Sequence, residues 1–158
     1  MCRFWKKIKP LEPTPLPEDH KPEIHPISAY QPAMNRIILE ENIKVLYGWM
    51  DKLYYSTSLR EWELLLHYIY VKEEAFEYIT QTYDCEDFAL WLKAMVSKHF
   101  QLNAFALVIG DGPTGKHAFN MFYTGEDFML FEPNEGFYSS GTAAGIDDYG
   151  YEPQQVFI

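Results

Sequence analysis

One cysteine stands where the sequence predicts the start of a helix. Cys85 follows Asp84 and precedes an apolar pattern with helical spacing. The N-terminus of a helix presents unpaired N–H groups and a partial positive charge, and both favour a thiolate. His117 and Glu132 follow on two successive predicted strands. A thiol, an imidazole and a carboxylate in this order could carry out nucleophilic attack on an acyl group.

Other features of the same residues argue against catalysis. A cysteine on the apolar stripe of a helix is more often inert packing than a nucleophile. The carboxylates nearest to Cys85 in the sequence also oppose its ionisation: Asp84, Glu86 and Asp87. His117 would therefore have to supply most of the activation. A predicted hairpin makes His117 and Glu132 cross-strand neighbours, so the imidazole and the carboxylate are expected to meet.

The first half of the chain is predicted to be an arm followed by helices. Seven of the ten prolines lie at or before residue 32, so residues 1–32 are predicted to form an extended arm and residues 33–158 a single domain. Apolar spacing and capping residues predict helices over about 34–52, after Ser56 or Ser58, over 73–80, and from the N-cap Asp84 to about His99.

The second half is predicted to be mainly strands. Short apolar or alternating runs predict strands over 104–109, 116–123 and 127–131, with a loop at 110–115, a turn at 124–126 and an edge strand at 156–158. Helices followed by hairpin-linked strands predict an α+β fold, in which the Cys-bearing helix packs on an antiparallel sheet.

Three segments resemble a known family. The run Asp84-Cys85-Glu86-Asp87-Phe88-Ala89 resembles the Cys-helix motif of bacterial transglutaminase-like cysteine peptidases, within the papain-like/transglutaminase superfamily. The segment 115–119 is similar to that family's His-strand. The segment 131–134 occupies the place of the residue that completes the family's catalytic triad. The resemblance covers roughly residues 80–135. It implies a transglutaminase-like or papain-like fold with Cys85 as nucleophile, His117 as base and Glu132 as the orienting carboxylate.

The implied function is thiol-dependent acyl transfer on amide bonds. The simplest form is a cysteine peptidase or amidase, that is, a hydrolase of the thiol protease class with a catalytic triad. Transfer to an amine, as in a transglutaminase, is a further alternative. A non-catalytic binding or structural module on the same fold is the main rival interpretation. The substrate implied by the resemblance is a protein, peptide or peptidoglycan amide.

Some roles within the implied site stay open. The third member of the family's triad is more usually Asp than Glu, and Asn134 is a rival to Glu132 because Cys-His-Asn triads also exist. Gln81 or Tyr83 could donate to an oxyanion, and their spacing does not choose between them.

Composition and motifs exclude several other classes of function. The net charge of −10 disfavours nucleic acid, which needs clustered Lys and Arg. Residues 110–116 fit G-x-x-x-x-G-K, but His117 replaces the Ser or Thr of a P-loop and a strand pattern follows. Cys85, His99 and His117 lack metal-ligand spacing, so no metal or cofactor is expected.

No signal peptide or membrane span is predicted, which makes the cytoplasm the default location.

Overall fold

The computed structural model describes residues 24–46, 48–72, 84–135, 137 and 139–158. Its three helices are α1 (Gln31–Glu40), α2 (Leu59–Lys72) and α3 (Cys85–Phe100). Its strands are β1 (Ile27–Tyr30), β2 (Lys44–Val45), β3 (Leu53–Ser56), β4 (Phe105–Gly112), β5 (Gly115–Tyr123), β6 (Phe128–Phe131), β7 (Ala143–Gly145) and β8 (Glu152–Phe157). The helix expected over 73–80, Gln81, Tyr83 and most of the predicted arm lie outside the described residues.

Six of the strands form one sheet in the order β2-β8-β4-β5-β6-β7. Neighbouring strands in it are antiparallel except for β2 and β8, which pair in parallel. Strands β1 and β3 form a separate antiparallel pair. The described part of the chain is therefore a mixed α/β fold with two sheets.

The predicted α+β fold class is wrong, because strands alternate with helices in the first half of the chain. The helix expected to reach about residue 52 ends at Glu40. Asn42 then takes a left-handed conformation with φ of 57°, which a helix cannot continue through, and the β-branched Val45 enters strand β2. The segment 156–158 does not form an edge strand, since β8 lies inside the sheet between β2 and β4.

Helices α2 and α3 begin where their capping residues predict. Ser58 Oγ accepts a hydrogen bond from the N–H of Glu61 at 3.4 Å, at the start of α2. Asp84 is the N-cap of α3, and its N–H donates to Asp87 Oδ2 at 3.3 Å. These local contacts place Cys85 at the first position of α3, as the sequence predicts.

Strand β5 is buried on both of its faces. One face of the large sheet packs against α2 and α3 through a cluster built from Trp62, Leu65, Leu66, Ile69, Leu92, Val96, Leu102, Phe105, Phe122 and Phe131. The other face packs against α1 through a cluster that includes Met34, Ile38, Val108, Phe119, Met121, Leu130, Tyr151 and Val156. A strand covered on both faces has few positions for polar residues, so the polar side chains that β5 does carry need partners.

Asn120 is a buried polar residue in the middle of β5, and it connects three elements. Its side chain has no exposed surface. Its Nδ2 group donates to Ala89 O of α3 at 2.8 Å and to Ala106 O of β4 at 3.1 Å. Asn120 therefore fixes the N-terminal half of α3 on the sheet, and with it the position of Cys85.

The hairpin between β4 and β5 is tighter than the sequence suggests. Strand β4 continues to Gly112, and β5 begins at Gly115, so two residues form the turn in place of the predicted loop over 110–115. On the other side of β4, Gly110 permits the close approach of β8, because a Cβ atom there would overlap Glu152 O. Lys116 stands in a strand and not at the start of a helix, which is incompatible with a P-loop.

The predicted boundary at residue 32 stays a prediction, although strand β1 lies on its N-terminal side at Ile27–Tyr30. Within the described residues, every helix is too short or too polar to cross a lipid bilayer.

Candidate functional site

His117 and Glu132 meet at the end of the β5–β6 hairpin. The strand register pairs Asn120 with Phe131, which brings the start of β5 beside the residues that follow β6. His117 Nε2 lies 2.7 Å from Glu132 Oε2. His117 is 8% exposed and Glu132 is 2% exposed, so the contact is shielded from water. A buried carboxylate is stable only when hydrogen bonds compensate its lost hydration.

Glu132 receives that compensation from four hydrogen bonds. Besides His117, Tyr151 Oη donates to Glu132 Oε2 at 2.7 Å. Asn134 donates to Oε1 twice, from its backbone N–H at 2.8 Å and from Nδ2 at 2.7 Å. Asn134 thus contacts the carboxylate, and Glu132 is the residue that contacts the imidazole. The network fixes the plane of the His117 ring.

Tyr151 acts as a donor throughout the physiological pH range. Burial raises the pKa of its hydroxyl far above the ordinary value, and the negative charge of Glu132 raises it further. Ser139 adds a hydrogen bond from its Oγ to Tyr151 Oη at 3.0 Å. The phenol therefore keeps its proton and holds Glu132 in place.

An aromatic ring covers the imidazole. Phe137 stacks on His117 with ring centroids 4.6 Å apart and an interplanar angle of 26°. Phe137 is half-buried, so part of its ring faces solvent. Phe119 and Tyr151 lie farther from the imidazole, with ring centroids 6.1 Å and 6.4 Å from that of His117. The result is an immobilised imidazole beneath a partly exposed aromatic surface.

Cys85 is half-buried at the start of α3, and its thiol is directed to a different partner. Its Sγ donates to Glu86 Oε2 at 3.4 Å. Burial raises the pKa of the Cys85 thiol; a backbone hydrogen bond from Ala118 lowers it, whereas the hydrogen bond and charge of Glu86 and the charge of Asp84 raise it. The net effect is a pKa above the ordinary value, which favours the neutral thiol at pH 7.

The faces of β5 explain why the thiol and the imidazole have different partners. His117 alternates with Phe119 and Met121 on the face opposite α3, whereas Asn120 on the other face contacts α3. Among the described residues, Cys85 Sγ has no hydrogen bond to His117, and its backbone partner is the adjacent Ala118. The structure thus joins His117 to Glu132, whereas the described contacts of Cys85 are with Glu86 and the backbone of Ala118.

One group of potential metal ligands lies close together in the part of the chain that the structure describes. Asp84, Cys85 and Glu86 offer ligand atoms within 4.8 Å of one another, but they are consecutive residues, and exposed acidic groups of this kind are common without an ion. His99 lies at the opposite end of α3 from Cys85, about 20 Å away along the helix axis. The set of Cys85, His99 and His117 therefore cannot share one ion.

Two residues of the site are not apparent from the sequence. Phe137 lies in a glycine- and tyrosine-rich stretch that has no regular hydrophobic period. Tyr151 is separated from Glu132 by 19 residues, and only the return of β8 through the sheet brings the phenol to the carboxylate. No local sequence signal could have identified either contact.

Two solved structures are similar to this chain in fold. No family model matches the chain, and no curated protein matches it. One similar solved structure is the PSL1a-E64 complex, with a TM-score of 0.65 and 20% identity, covering 83% of this chain and 51% of that one. Another is Polyporus squamosus lectin bound to the human-type influenza-binding epitope Neu5Acα2-6Galβ1-4GlcNAc, with a TM-score of 0.63, 19% identity and coverage of 83% and 49%. The chain spans about half the length of these proteins, and the likeness concerns the fold.

These findings overturn the family resemblance and what it implies. The assignment to transglutaminase-like cysteine peptidases is wrong, because the similar solved structures include a Polyporus squamosus lectin and no family model matches the chain. The transglutaminase-like or papain-like fold is wrong for the same reason. The predicted enzyme, whether cysteine peptidase, amidase or transglutaminase-type acyltransferase, is also wrong. The same finding contradicts a hydrolase of the thiol protease class and a catalytic triad. The geometry agrees with this correction, because the Cys85 thiol donates to Glu86 and no hydrogen bond joins it to His117 among the described residues.

Proposed function

We propose that this chain is a non-catalytic binding domain and that its ligand is a carbohydrate. The proposed binding surface consists of Phe137 and of His117 beneath it. The observation that carries the proposal is the stacking of a partly exposed Phe137 ring on an imidazole fixed by Glu132. The likeness of the fold to that of a lectin supports the same class of ligand.

The arrangement suits a sugar ring for two reasons. A pyranose presents an apolar face of C–H groups, which packs on an aromatic ring, and a circumference of hydroxyl groups, which need hydrogen-bond partners. Binding sites for small ligands combine such aromatic surfaces with a few polar groups in fixed positions. Glu132 and Tyr151 supply the rigidity here, because they prevent the imidazole under Phe137 from turning when a ligand packs above it.

The state of the thiol fits binding better than reaction. Nucleophilic catalysis requires a thiolate within reach of a base. Cys85 retains its proton at neutral pH, and its donor bond goes to a carboxylate, Glu86. A neutral thiol beside a binding surface contributes packing and a weak hydrogen bond, and leaves the ligand unchanged.

The proposal is tested with a glycan array followed by titration of the best ligand, detected by NMR. We expect wild-type protein to bind at least one glycan and Phe137→Ala to lose at least about tenfold in affinity, because the stacking surface is removed. Phe100→Ala is the matched control, since Phe100 is also half-buried but lies at the far end of α3. Absence of glycan binding by the folded wild type, or equal affinity in Phe137→Ala, would overturn the proposal.

A further inference from the structure

Lys93 is a half-buried lysine on α3 whose ammonium group contacts a neutral partner. Its Nζ group donates to Phe105 O, at the first residue of β4, at 2.5 Å. The ion pairs formed by the described residues do not include Lys93. An ammonium group that loses water is usually compensated by a carboxylate. The hydrogen bond of Lys93 to a main-chain carbonyl leaves its charge without that compensation.

Lys116 shows the more usual arrangement of a lysine. Its Nζ group lies 2.8 Å from Asp111 Oδ1 and donates to Gln154 Oε1 at 2.8 Å. Its side chain is also exposed, so the ammonium group keeps both a counter-ion and contact with water. Lys93 and Lys116 therefore differ in burial and in the charge of the group that they contact.

Burial weakens the hold of Lys93 on its proton. The loss of water disfavours the charged form and lowers the pKa of Lys93 to about 8, whereas the negative charge of Asp51 acts in the opposite direction. About a quarter of the Lys93 amine is therefore neutral at pH 7.5, compared with about one part in a thousand for a lysine at the ordinary pKa. The neutral amine is the form that acts as a nucleophile.

We infer that Lys93 is an acylation site, at which the side-chain amine takes an acyl group from a thioester. The nitrogen attacks the carbonyl carbon, an N–C bond forms and the C–S bond breaks. The proton that the nitrogen loses leaves with the thiol, so the products are an amide and a free thiol. The inference does not depend on carbohydrate binding, because Lys93 is not part of the surface formed by Phe137 and His117.

The amide product fits the position of Lys93 better than the ammonium group does. An acylated lysine keeps one N–H group, which can still donate to Phe105 O. The amide carries no charge, so the cost of burying the ammonium group disappears. The same reaction at Lys116 would remove the cation that contacts Asp111. Acylation is therefore compatible with the fold at Lys93 and breaks an ion pair at Lys116.

The test is acetylation of the full chain at pH 7.5 by the acetyl thioester of N-acetylcysteamine. Peptide mass spectrometry gives the rate at each lysine. We expect Lys93 to react at least about fivefold faster than Lys116 in the folded protein, because more of its amine is neutral. In concentrated urea the two rates should become equal, because burial no longer acts on Lys93. A rate at Lys93 no higher than that at Lys116 in the folded protein, or a difference that persists in urea, would overturn the inference.

Two variants test the physical cause at low salt. Asp51→Asn should raise the rate at Lys93 about two- to threefold, because it removes the charge that favours the ammonium form. Asparagine keeps an oxygen that can accept the hydrogen bond from Asn103 Nδ2. Glu152→Gln is the matched control: Glu152 is also exposed, but it pairs with Asp111, about 20 Å along β4 from Phe105. It should leave the rate at Lys93 unchanged. An unchanged rate in Asp51→Asn, or an equal rise in Glu152→Gln, would contradict the inference.

Discussion

Glu132→Ala is expected to destabilise the fold by about 3–5 kcal/mol, because it removes the shared acceptor of a buried hydrogen-bond network and leaves its donors unpaired. The lost carboxylate accepts from His117, from Tyr151 and twice from Asn134. None of these groups can turn to water without opening the end of the hairpin. Urea unfolding followed by circular dichroism measures the effect as a lower transition midpoint with an unchanged slope.

Two further variants distinguish the network from ordinary packing. Tyr151→Phe removes two hydrogen bonds, the one to Glu132 and the one from Ser139, but keeps the carboxylate, and should cost about 1–3 kcal/mol. Glu135→Ala alters an exposed carboxylate and should change stability by less than about 0.5 kcal/mol. A loss of unfolding free energy below about 1 kcal/mol in Glu132→Ala would mean that the network does not stabilise this end of the sheet. It would also mean that Glu132 does not hold the His117 imidazole in place.

Asn120→Ala is expected to cost about 2–4 kcal/mol, from the loss of two buried hydrogen bonds and the cavity that remains. Among the described residues of β5, only Asn120 has a side chain that donates hydrogen bonds to both α3 and β4. Its acceptors are Ala89 O and Ala106 O. Asn120→Leu separates the two contributions, because leucine fills the volume without donating. The free energy of unfolding lost in Asn120→Leu, divided by that lost in Asn120→Ala, gives the share of the loss that comes from the hydrogen bonds.

The control for this series is Asn35→Ala. Asn35 is half-buried on α1 and accepts one hydrogen bond from Trp49 Nε1 at 3.3 Å, so its removal should cost less than about 1 kcal/mol. Thermal and urea unfolding of the wild type, Asn120→Ala, Asn120→Leu and Asn35→Ala tests whether Asn120 fixes α3 on the sheet. If Asn120→Ala proved no more costly than Asn35→Ala, Asn120 would not be the connection that fixes α3 on the sheet.

The parts of the fold that the sequence predicts are those determined by local chemistry. The N-cap Asp84 and the apolar spacing after it define α3, and the turn after Tyr123 defines the β5–β6 hairpin. The early part of the chain is different. There, Asn42 in a left-handed conformation ends α1 and diverts the chain into β2, whose pairing with β8 joins residues more than 100 positions apart. Pairing at that distance has no local signature, so the order of strands could not be predicted.

The site shows the same division between local and distant contacts. The meeting of His117 and Glu132 follows from one hairpin, and hairpin register can be read from a turn and two alternating runs. Contact between either residue and Cys85 depends on how a helix from another part of the chain packs on the sheet. The sequence order suggested a triad, but it contains no information on which face of β5 carries His117 relative to α3. Phe137 and Tyr151 join the site through irregular segments and a distant strand.

The protonation state of Cys85 distinguishes a binding domain from a thiol enzyme more directly than any other property. Burial, the hydrogen bond to Glu86 and the charges of Glu86 and Asp84 raise its pKa against the single opposing effect of Ala118. The thiolate should therefore appear only at alkaline pH. A thiol enzyme would instead have a thiolate at neutral pH that depends on the histidine.

The decisive measurement is the rate of Cys85 alkylation by iodoacetamide between pH 5 and pH 10, in a Cys2→Ser background so that one thiol reports. We expect slow labelling at pH 7, a rise only at alkaline pH, above the range of an ordinary thiol, and the same profile in His117→Ala. Labelling that is already fast at pH 6–7 and slows when His117 is replaced would contradict the account, because it would show a thiolate activated by the imidazole.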